Sequence, residues 1–306
     1  MRTRGPARDP AVAGSFYPDD PAQLDPLVTR LLAEAGRLPG VCEDAEAGHG
    51  MPAAILVPHA GLVYSGVTAA AAWACLAEVR GGPPTTVVLL GTNHTAAWLR
   101  GVGAWEEGRW VTPAGTFAVD GALADAILAL GPPYRVDRDA HTDEHSIEVQ
   151  LPLLAAVAPD VRIVPLAVAT GTGAPVVQAG ERLGRLLAGR RATGERVVLA
   201  ISSDMAHYPP ADACREVTEA LLPAILDRDP VALALLEDRL RNSGIRGLAC
   251  GMCGIEPAVL GLAAVRAMGV GRGSLLAAST SSDAGGPANR TVGYLAVRFD
   301  APTLGT

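Results

Sequence analysis

The chain has 306 residues, of which 49% are hydrophobic and 19% charged, so it can bury a large core and does not have the composition of a disordered chain. Its formal net charge is −7 and its arginines are scattered, which argues against a nucleic-acid partner. All 25 basic residues are arginine, which excludes lysine Schiff-base chemistry and the phosphate-loop lysine.

Short β-rich runs alternate with longer runs of alanine and leucine that have helical spacing. The predicted strands are residues 53–57, 86–90, 161–167, 196–202, 274–278 and 292–299. The predicted helices are residues 67–79, 121–130, 146–158, 176–187, 212–222 and 255–268. This alternation indicates an α/β fold with a mostly parallel or mixed central sheet and helices on both faces. We expect a single domain over residues 1–306, since no internal repeat is present.

Histidines follow the first two predicted strands. His59 comes after residues 53–57, and His94 comes after residues 86–90. Ligands of open α/β sheets bind beyond the carboxyl ends of the strands, where these histidines would meet. A single histidine there could simply bond a carbonyl, but two neutral imidazoles also form half of a site for iron, copper, zinc or nickel.

Two segments interrupt the alternation. Residues 37–51 are rich in Gly, Glu and Asp and are predicted to form an exposed loop. Residues 104–119 are predicted to form a hairpin or an irregular excursion. Its aromatic residues Trp105, Trp110 and Phe117 could line a pocket, although packing is the commoner role for such residues.

The densest polar cluster is His141-Thr-Asp-Glu-His-Ser-Ile-Glu148. Its simplest interpretation is helix initiation, with Asp143, Glu144 or Ser146 as the cap. The alternative is that the cluster forms one wall of a functional site.

A third strand end carries Asp204 and His207. An imidazole with a pKa near ~6.5 can move protons at neutral pH. We therefore expect His207 to act as an acid–base group, oriented by Asp204.

Cys250-Gly-Met-Cys253 precedes the last predicted helix. A cysteine at a helix start is expected to favour the thiolate, the form that binds metals and attacks electrophiles. A structural pair or a thioredoxin-like disulfide remains an alternative, whereas a zinc ribbon would need a second cysteine pair.

Six segments together resemble the Memo-like family across nearly the whole chain. They are Val12-Ala-Gly-Ser-Phe-Tyr-Pro18, Val57-Pro-His-Ala-Gly-Leu-Val-Tyr-Ser-Gly66, Leu90-Gly-Thr-Asn-His94, Asp143-Glu-His-Ser-Ile-Glu148 with Leu151-Pro152, Ser202-Ser-Asp-Met-Ala-His207, and Cys253-Gly-Ile-Glu-Pro257. The resemblance implies a LigB-like architecture, that of the class III extradiol dioxygenases, whose non-haem iron is held by two histidines and a glutamate.

By this resemblance, His59 and His94 are the histidine ligands and Cys253 replaces the glutamate. His207 matches the acid–base histidine, Asp204 lies behind the ligands, and His145 faces the same cavity. Cys250 competes with Cys253 for the ligand position, and Glu256 is a lesser carboxylate candidate. Cys253 is preferred because Cys-Gly-x-x-Pro is the family spacing.

The leading functional hypothesis is an oxidoreductase that uses ferrous iron, with copper or zinc as alternative metals, and acts on a small molecule with dioxygen. One alternative is a hydrolase that uses Cys253 as nucleophile with His207 as its base, aligned by Asp204, or one that uses a bound metal. Another is a non-catalytic protein that binds a peptide or a small ligand. The resemblance also implies partner proteins from radical-enzyme systems.

The chain is expected to be cytoplasmic and without a membrane partner. Its apolar runs are shorter than the ~20 residues needed to cross a bilayer, and no apolar signal stretch follows Met1. Five cysteines in so long a chain do not form a disulfide framework, which agrees with a reducing compartment.

Overall fold

The computed structural model describes residues 5–41, 50–79 and 81–300. Its strands are β1 Ala7–Arg8, β2 Ala54–Val57, β3 Thr85–Thr92, β4 Gly101–Ala104, β5 Arg109–Thr112, β6 Gly115–Ala118, β7 Tyr134–Val136, β8 Arg162–Ala169, β9 Arg196–Ser202, β10 Ser274–Thr280 and β11 Gly293–Phe299. Eight of them form the central sheet, in the order β10-β11-β2-β9-β3-β8-β4-β7. The middle four, β2, β9, β3 and β8, run parallel, and antiparallel pairs flank them. A smaller sheet has the order β1-β5-β6.

The central strands are apolar on both faces. Ile55 and Val57 point into one core, whereas Ala54 and Leu56 point into the other, and all four are fully buried. Successive side chains of a strand point to opposite faces, so continuous apolar runs are what a sheet covered on both sides requires.

Eight helices whose bounds lie wholly within the described ranges cover the sheet. They are α1 Pro21–Ala35, α2 Leu62–Ala74, α3 Gly121–Leu128, α4 Leu151–Val157, α5 Ala174–Ala192, α6 Ala211–Leu226, α7 Pro230–Arg241 and α8 Ile255–Ala267. Helices α1, α2 and α4 pack on one face of the sheet, and the other five pack on the opposite face. The predicted α/β class with helices on both faces is confirmed.

All six predicted strands are present, with ends that differ by at most a few residues. Helices α1 and α7 were not predicted. Each begins with an aspartate that caps the first turn, followed by proline: Asp20 accepts from Ala22 N–H, and Asp229 accepts from Val231 N–H and Ala232 N–H. This Asp-Pro pair was the sequence signal for both helices.

The expected helix over 146–158 begins later than predicted. A short 3-10 turn, Glu148–Gln150, precedes α4, and neither Glu144 nor Ser146 caps that helix. Glu144 and Ser146 bond to the histidine loops instead.

The hairpin expected within 104–119 is confirmed as β5 and β6. Trp105, Trp110 and Phe117 are at most 6% exposed, so they pack in the core and do not line a pocket. The predicted loop 37–51 lies partly outside the described residues, which omit 42–49.

The connections of the sheet create a crevice at its carboxyl edge. Helix α2 follows β2 onto one face, and α5 follows β8 onto the other, so the loops after the parallel strands diverge. Such a divergence is where open α/β sheets bind ligands. Among the described helices, none has the length and apolarity to span a membrane.

Candidate metal centre

Three donor side chains converge at this edge. His59 follows β2, His94 follows β3, and Cys253 precedes α8. Their donor atoms all lie within 4.8 Å of one another, and Cys253 Sγ is 3.2 Å from His59 Nε2. Two ligands of one ion, each ~2.0–2.3 Å from it, are separated by roughly 3–4 Å, so this donor set fits a single ion after small side-chain adjustments.

A hydrogen-bond chain sets the tautomer of His59. Ser202 Oγ donates its only proton to the Ser146 carbonyl at 2.7 Å and accepts from Gln150 Nε2 at 3.0 Å. The 2.9 Å contact between His59 Nδ1 and Ser202 Oγ must therefore be donated by the imidazole. The lone pair of His59 is left on Nε2, which faces Cys253.

Glu144 orients His94 as Ser202 orients His59, through a hydrogen bond at Nδ1. Its buried carboxylate accepts from His94 Nδ1 at 2.9 Å and from the His94 backbone N–H at 2.5 Å. Burial acts to raise the pKa of Glu144, but the hydrogen bonds and charges of His94 outweigh it and hold the pKa at about 2. An ionised carboxylate behind an imidazole fixes the ring and strengthens its other nitrogen as a metal ligand.

Without a bound metal, the surroundings of His59 and Cys253 favour the uncharged form of each side chain. Burial, with the neighbouring His94 and His145, lowers the pKa of His59 well below its usual value. Burial and the nearby Asp204 carboxyl raise the pKa of the Cys253 thiol well above its usual value. The expectation that a helix start yields a thiolate is wrong here, because Cys253 precedes the capping residue Gly254 and desolvation dominates. A bound cation would reverse this balance, since it stabilises the thiolate directly.

Asp204 and His207 lie beside the three donors but do not bond to each other. Asp204 Oδ1 accepts from the backbone N–H groups of His59 and Ala60, at 2.7 and 3.2 Å. His207 Nδ1 donates to the Met205 carbonyl at 2.7 Å. The His207 imidazole is therefore oriented by a backbone carbonyl. The expectation that Asp204 orients it is wrong. Asp204, His207 and Cys253 also place their donor atoms within 4.8 Å of one another.

The His145 ring lies against the rings of His59 and His94. Its ring stacks on His94 with centroids 4.5 Å apart and meets His59 edge-on at 5.4 Å. Burial lowers the pKa of His145 to about 4, so the ring is neutral at physiological pH. The structure thus places all six predicted site residues in one cluster, and their roles stay predictions.

Cys250 and Glu256 lie outside the converging donor groups of the described residues. Glu256 accepts from Thr170 N–H at 2.6 Å. Cys250 pairs through its backbone carbonyl with His207 N–H at 2.9 Å. This placement favours Cys253 as the ligand.

The N-terminal segment is clamped onto the back of the histidine cluster. Buried Glu148 forms an ion pair with Arg8 and accepts from Tyr17 Oη at 2.6 Å. Arg8 also donates to the carbonyls of His141 and Glu144, at 3.0 and 2.7 Å. His141 Nε2 bonds to the Gly103 carbonyl at 2.9 Å, so this buried histidine has a structural role.

A cavity of about 540 Å³ opens in front of the donors. Phe16, Tyr64 and Tyr208 contribute aromatic surface, and Arg290 lies 4.1 Å from the centre of the Tyr208 ring.

Tyr208 follows His207 directly and has a φ of 73°, an unfavourable conformation for a non-glycine residue. Backbone strain of this kind is found disproportionately at functional sites.

Sequence reasoning missed the supporting roles of Glu144, Ser202 and Gln150. Glu144 belongs to the polar cluster before α4, whose alternative interpretation as a site wall was the available signal. Ser202 ends β9, and Gln150 lies in the turn before α4, where an ordinary serine and glutamine give no signal of their own.

The family model and the similar proteins found by sequence all name the same family. A family model described as Memo-like protein matches residues 8–298. A MEMO1 family protein from Methanopyrus kandleri is 34% identical over 301 residues, covering 95% of this chain and 98% of the relative. Another from Aquifex aeolicus is 34% identical over 296 residues, with coverage of 95% and 98%. A third, from Thermotoga maritima, is 34% identical over 292 residues, with coverage of 94% and 98%.

A crystal structure of an uncharacterized protein from Escherichia coli K12 aligns with a TM-score of 0.45 at 19% identity, covering 81% of this chain and 99% of that chain. A score below 0.5 supports no conclusion about this chain, so its family is established by the sequence matches. The resemblance found in the sequence is confirmed, and this chain belongs to the Memo-like protein family.

Proposed function

We propose that this protein is a metal-dependent oxidoreductase that holds one ferrous iron through His59, His94 and Cys253 and oxidises a small molecule with dioxygen. The observation that carries the proposal is the convergence of two histidines, each oriented by a hydrogen bond at Nδ1, and one thiol, whose donor atoms lie within 4.8 Å of one another. When bound, iron supplies the one-electron reactivity with dioxygen that protein side chains lack.

The chain's own residues would supply binding and proton transfer. His59, His94 and Cys253 would hold the ion, and the cavity of about 540 Å³ that they line would receive the substrate. His207 has its Nδ1 occupied by the Met205 carbonyl, which leaves Nε2 free to accept a proton from a substrate. Burial, the largest effect, lowers the pKa of His207, so this nitrogen is available as a base at neutral pH.

The test is metal content combined with oxygen uptake. Protein loaded with iron under anaerobic conditions should hold about one ion per chain, and His59→Ala and Cys253→Ala should lose it. Cys250→Ala is the matched control and should keep the iron. Oxygen uptake in a screen of small aromatic and aliphatic substrates should depend on the metal. Unchanged iron in both ligand variants would refute the site.

A cysteine hydrolase is less well supported. It would need an ionised thiol and a His207 base aligned by Asp204. Burial instead raises the pKa of Cys253, and His207 Nδ1 donates to the Met205 carbonyl and not to Asp204. Stoichiometric alkylation of Cys253 in metal-free protein, with activity that survives a chelator, would favour the hydrolase. A protein that only binds a ligand would instead tolerate Cys253→Ala without losing its partner.

A further inference from the structure

A second and larger cavity lies on the other side of Cys253. Its volume is about 1030 Å³, and it extends from the ends of β3 and β8 to the starts of α5 and α8. Cys253 lines both this cavity and the one in front of the histidines. The volume matches that of a small-molecule site, ~300–1,000 Å³.

Three arginines from distant parts of the chain line this second cavity: Arg100 before β4, Arg182 in α5 and Arg241 at the end of α7. The cavity's lining includes one carboxylate, Glu256, which accepts from Thr170 N–H. The cavity is therefore positive, although the chain as a whole is negative.

None of the three arginines forms an ion pair with a described residue. Arg100 donates to the carbonyls of Ala97 and Leu99, and Arg182 donates to the carbonyl of Pro132. Arg182 Nε is buried and has no partner within the described ranges. Glu237 interacts electrostatically with Arg241 from beyond ion-pair distance. Elsewhere arginines of this chain are commonly paired, as Arg138 is with Glu106.

Two helix starts add to the positive potential. The first turns of α5 and α8 line the cavity, and neither helix has a side-chain cap, since Gly173 and Gly254 occupy the capping positions. The helix dipole favours anions at such ends, and Glu256 in the first turn of α8 already places one carboxylate there. Thr92, Asn93, Thr170 and Gln178 add polar groups to the lining.

We infer that this arginine cavity, lined by Arg100, Arg182 and Arg241, binds a small organic polyanion that carries several carboxylate or phosphate groups. Guanidinium groups on separate walls suit a ligand with more than one anionic group, since each can form charge-assisted hydrogen bonds. Proline and valine side chains, among them Pro133 and Val176, would contact its carbon skeleton.

The test is calorimetric titration of metal-free protein at low salt with pyrophosphate and, separately, with propane-1,2,3-tricarboxylate. At least one probe should bind, and the affinity should fall as salt is added. Arg182→Gln and Arg241→Gln should each raise the Kd about tenfold or more, because each removes a charge-assisted contact. Which probe binds more tightly identifies the anionic group.

Arg185→Gln is the matched control, since Arg185 lies on the same helix as Arg182 and outside the cavity lining. It should leave the Kd unchanged. Failure of both probes to bind, or equal weakening by Arg185→Gln and Arg182→Gln, would overturn the inference. Arg241 is exposed at the end of α7, so loss of folding would not explain its effect. The titration uses metal-free protein, so its outcome does not depend on the proposed iron.

Discussion

Each of the two histidines proposed as ligands, His59 and His94, is oriented by a single polar neighbour, and the two neighbours differ in charge. Ser202 holds His59 through a neutral hydroxyl, whereas Glu144 holds His94 through a buried, ionised carboxylate. A carboxylate partner makes an imidazole a stronger donor than a hydroxyl does. If the proposed ion binds there, Glu144 should matter for its affinity although Glu144 is not one of the three proposed ligands.

We predict that Glu144→Gln weakens metal binding by ~10–100-fold while the fold is retained, because the amide keeps the shape but not the charge. Competition between the protein and a coloured chelator measures the affinity. Glu256→Gln is the control, since Glu256 bonds to Thr170 N–H away from the histidines, and it should change little. Equal affinity in Glu144→Gln and the wild type would show that the carboxylate only positions the loop.

Much of this site could be predicted from single residues. His59, His94 and His207 are close to strand ends, and strand ends meet at one edge of a parallel sheet. The hydrogen bonds could not be predicted, because they join residues far apart in the chain. Ser202 and Gln150 approach each other only once β9 and the turn before α4 are packed. The ionisation of Cys253 was mispredicted for a similar reason, since burial is a property of the fold.

At the level of elements, helices α5 and α8 pack unusually closely, and Cys253 lies just before the capping residue of α8. A methyl group at Gly180 would overlap the backbone oxygen of Leu260, and one at Gly184 would overlap that of Ala264. These glycines therefore let two helix backbones meet without intervening side chains.

We predict that Gly184→Ala lowers the free energy of unfolding by about 1–3 kcal/mol, because the overlap outweighs the better helix propensity of alanine. Gly189→Ala on the same helix is the control. Its added methyl group meets nothing within 4 Å, so it should raise the free energy of unfolding by about 0.5–1 kcal/mol. Urea unfolding curves measure both changes. A stabilised Gly184→Ala would contradict the close packing.

The sheet strands were easier to predict than the helices. Buried strands such as β3 and β9 are continuous apolar runs bounded by turn residues, which the sequence displays directly. Helices α1 and α7 have mixed composition, with partly exposed faces, and only their Asp-Pro starts mark them. Helix α4 is shorter than predicted because the polar residues before it bond to the histidine loops.

At the level of the whole molecule, stability should depend on pH through buried His141. Burial lowers the pKa of His141 to about 4 from its usual value of 6.5. Between these values the unfolded chain binds a proton that the folded chain does not, so stability is fully present above about pH 6.5 and falls as the pH drops toward 4. A shift of this size corresponds to about 3 kcal/mol.

We predict that His141→Gln reduces the loss of stability between about pH 7 and about pH 4.5, because glutamine does not titrate and can still donate to the Gly103 carbonyl. Urea unfolding at the two pH values measures the loss in the wild type and in the variant. The wild-type loss should be larger by up to about 3 kcal/mol. The same loss in both proteins would place the pH dependence elsewhere.

X-ray absorption at the metal edge of zinc-loaded protein counts the sulfur atoms among the ligands of the ion, and so shows whether Cys253 binds the same ion as the histidines. We expect one sulfur at ~2.3 Å and nitrogen or oxygen neighbours at ~2.0–2.1 Å, with the sulfur lost in Cys253→Ser and kept in Cys250→Ser. A shell without sulfur in the wild type, or one that keeps its sulfur in Cys253→Ser, would contradict this expectation.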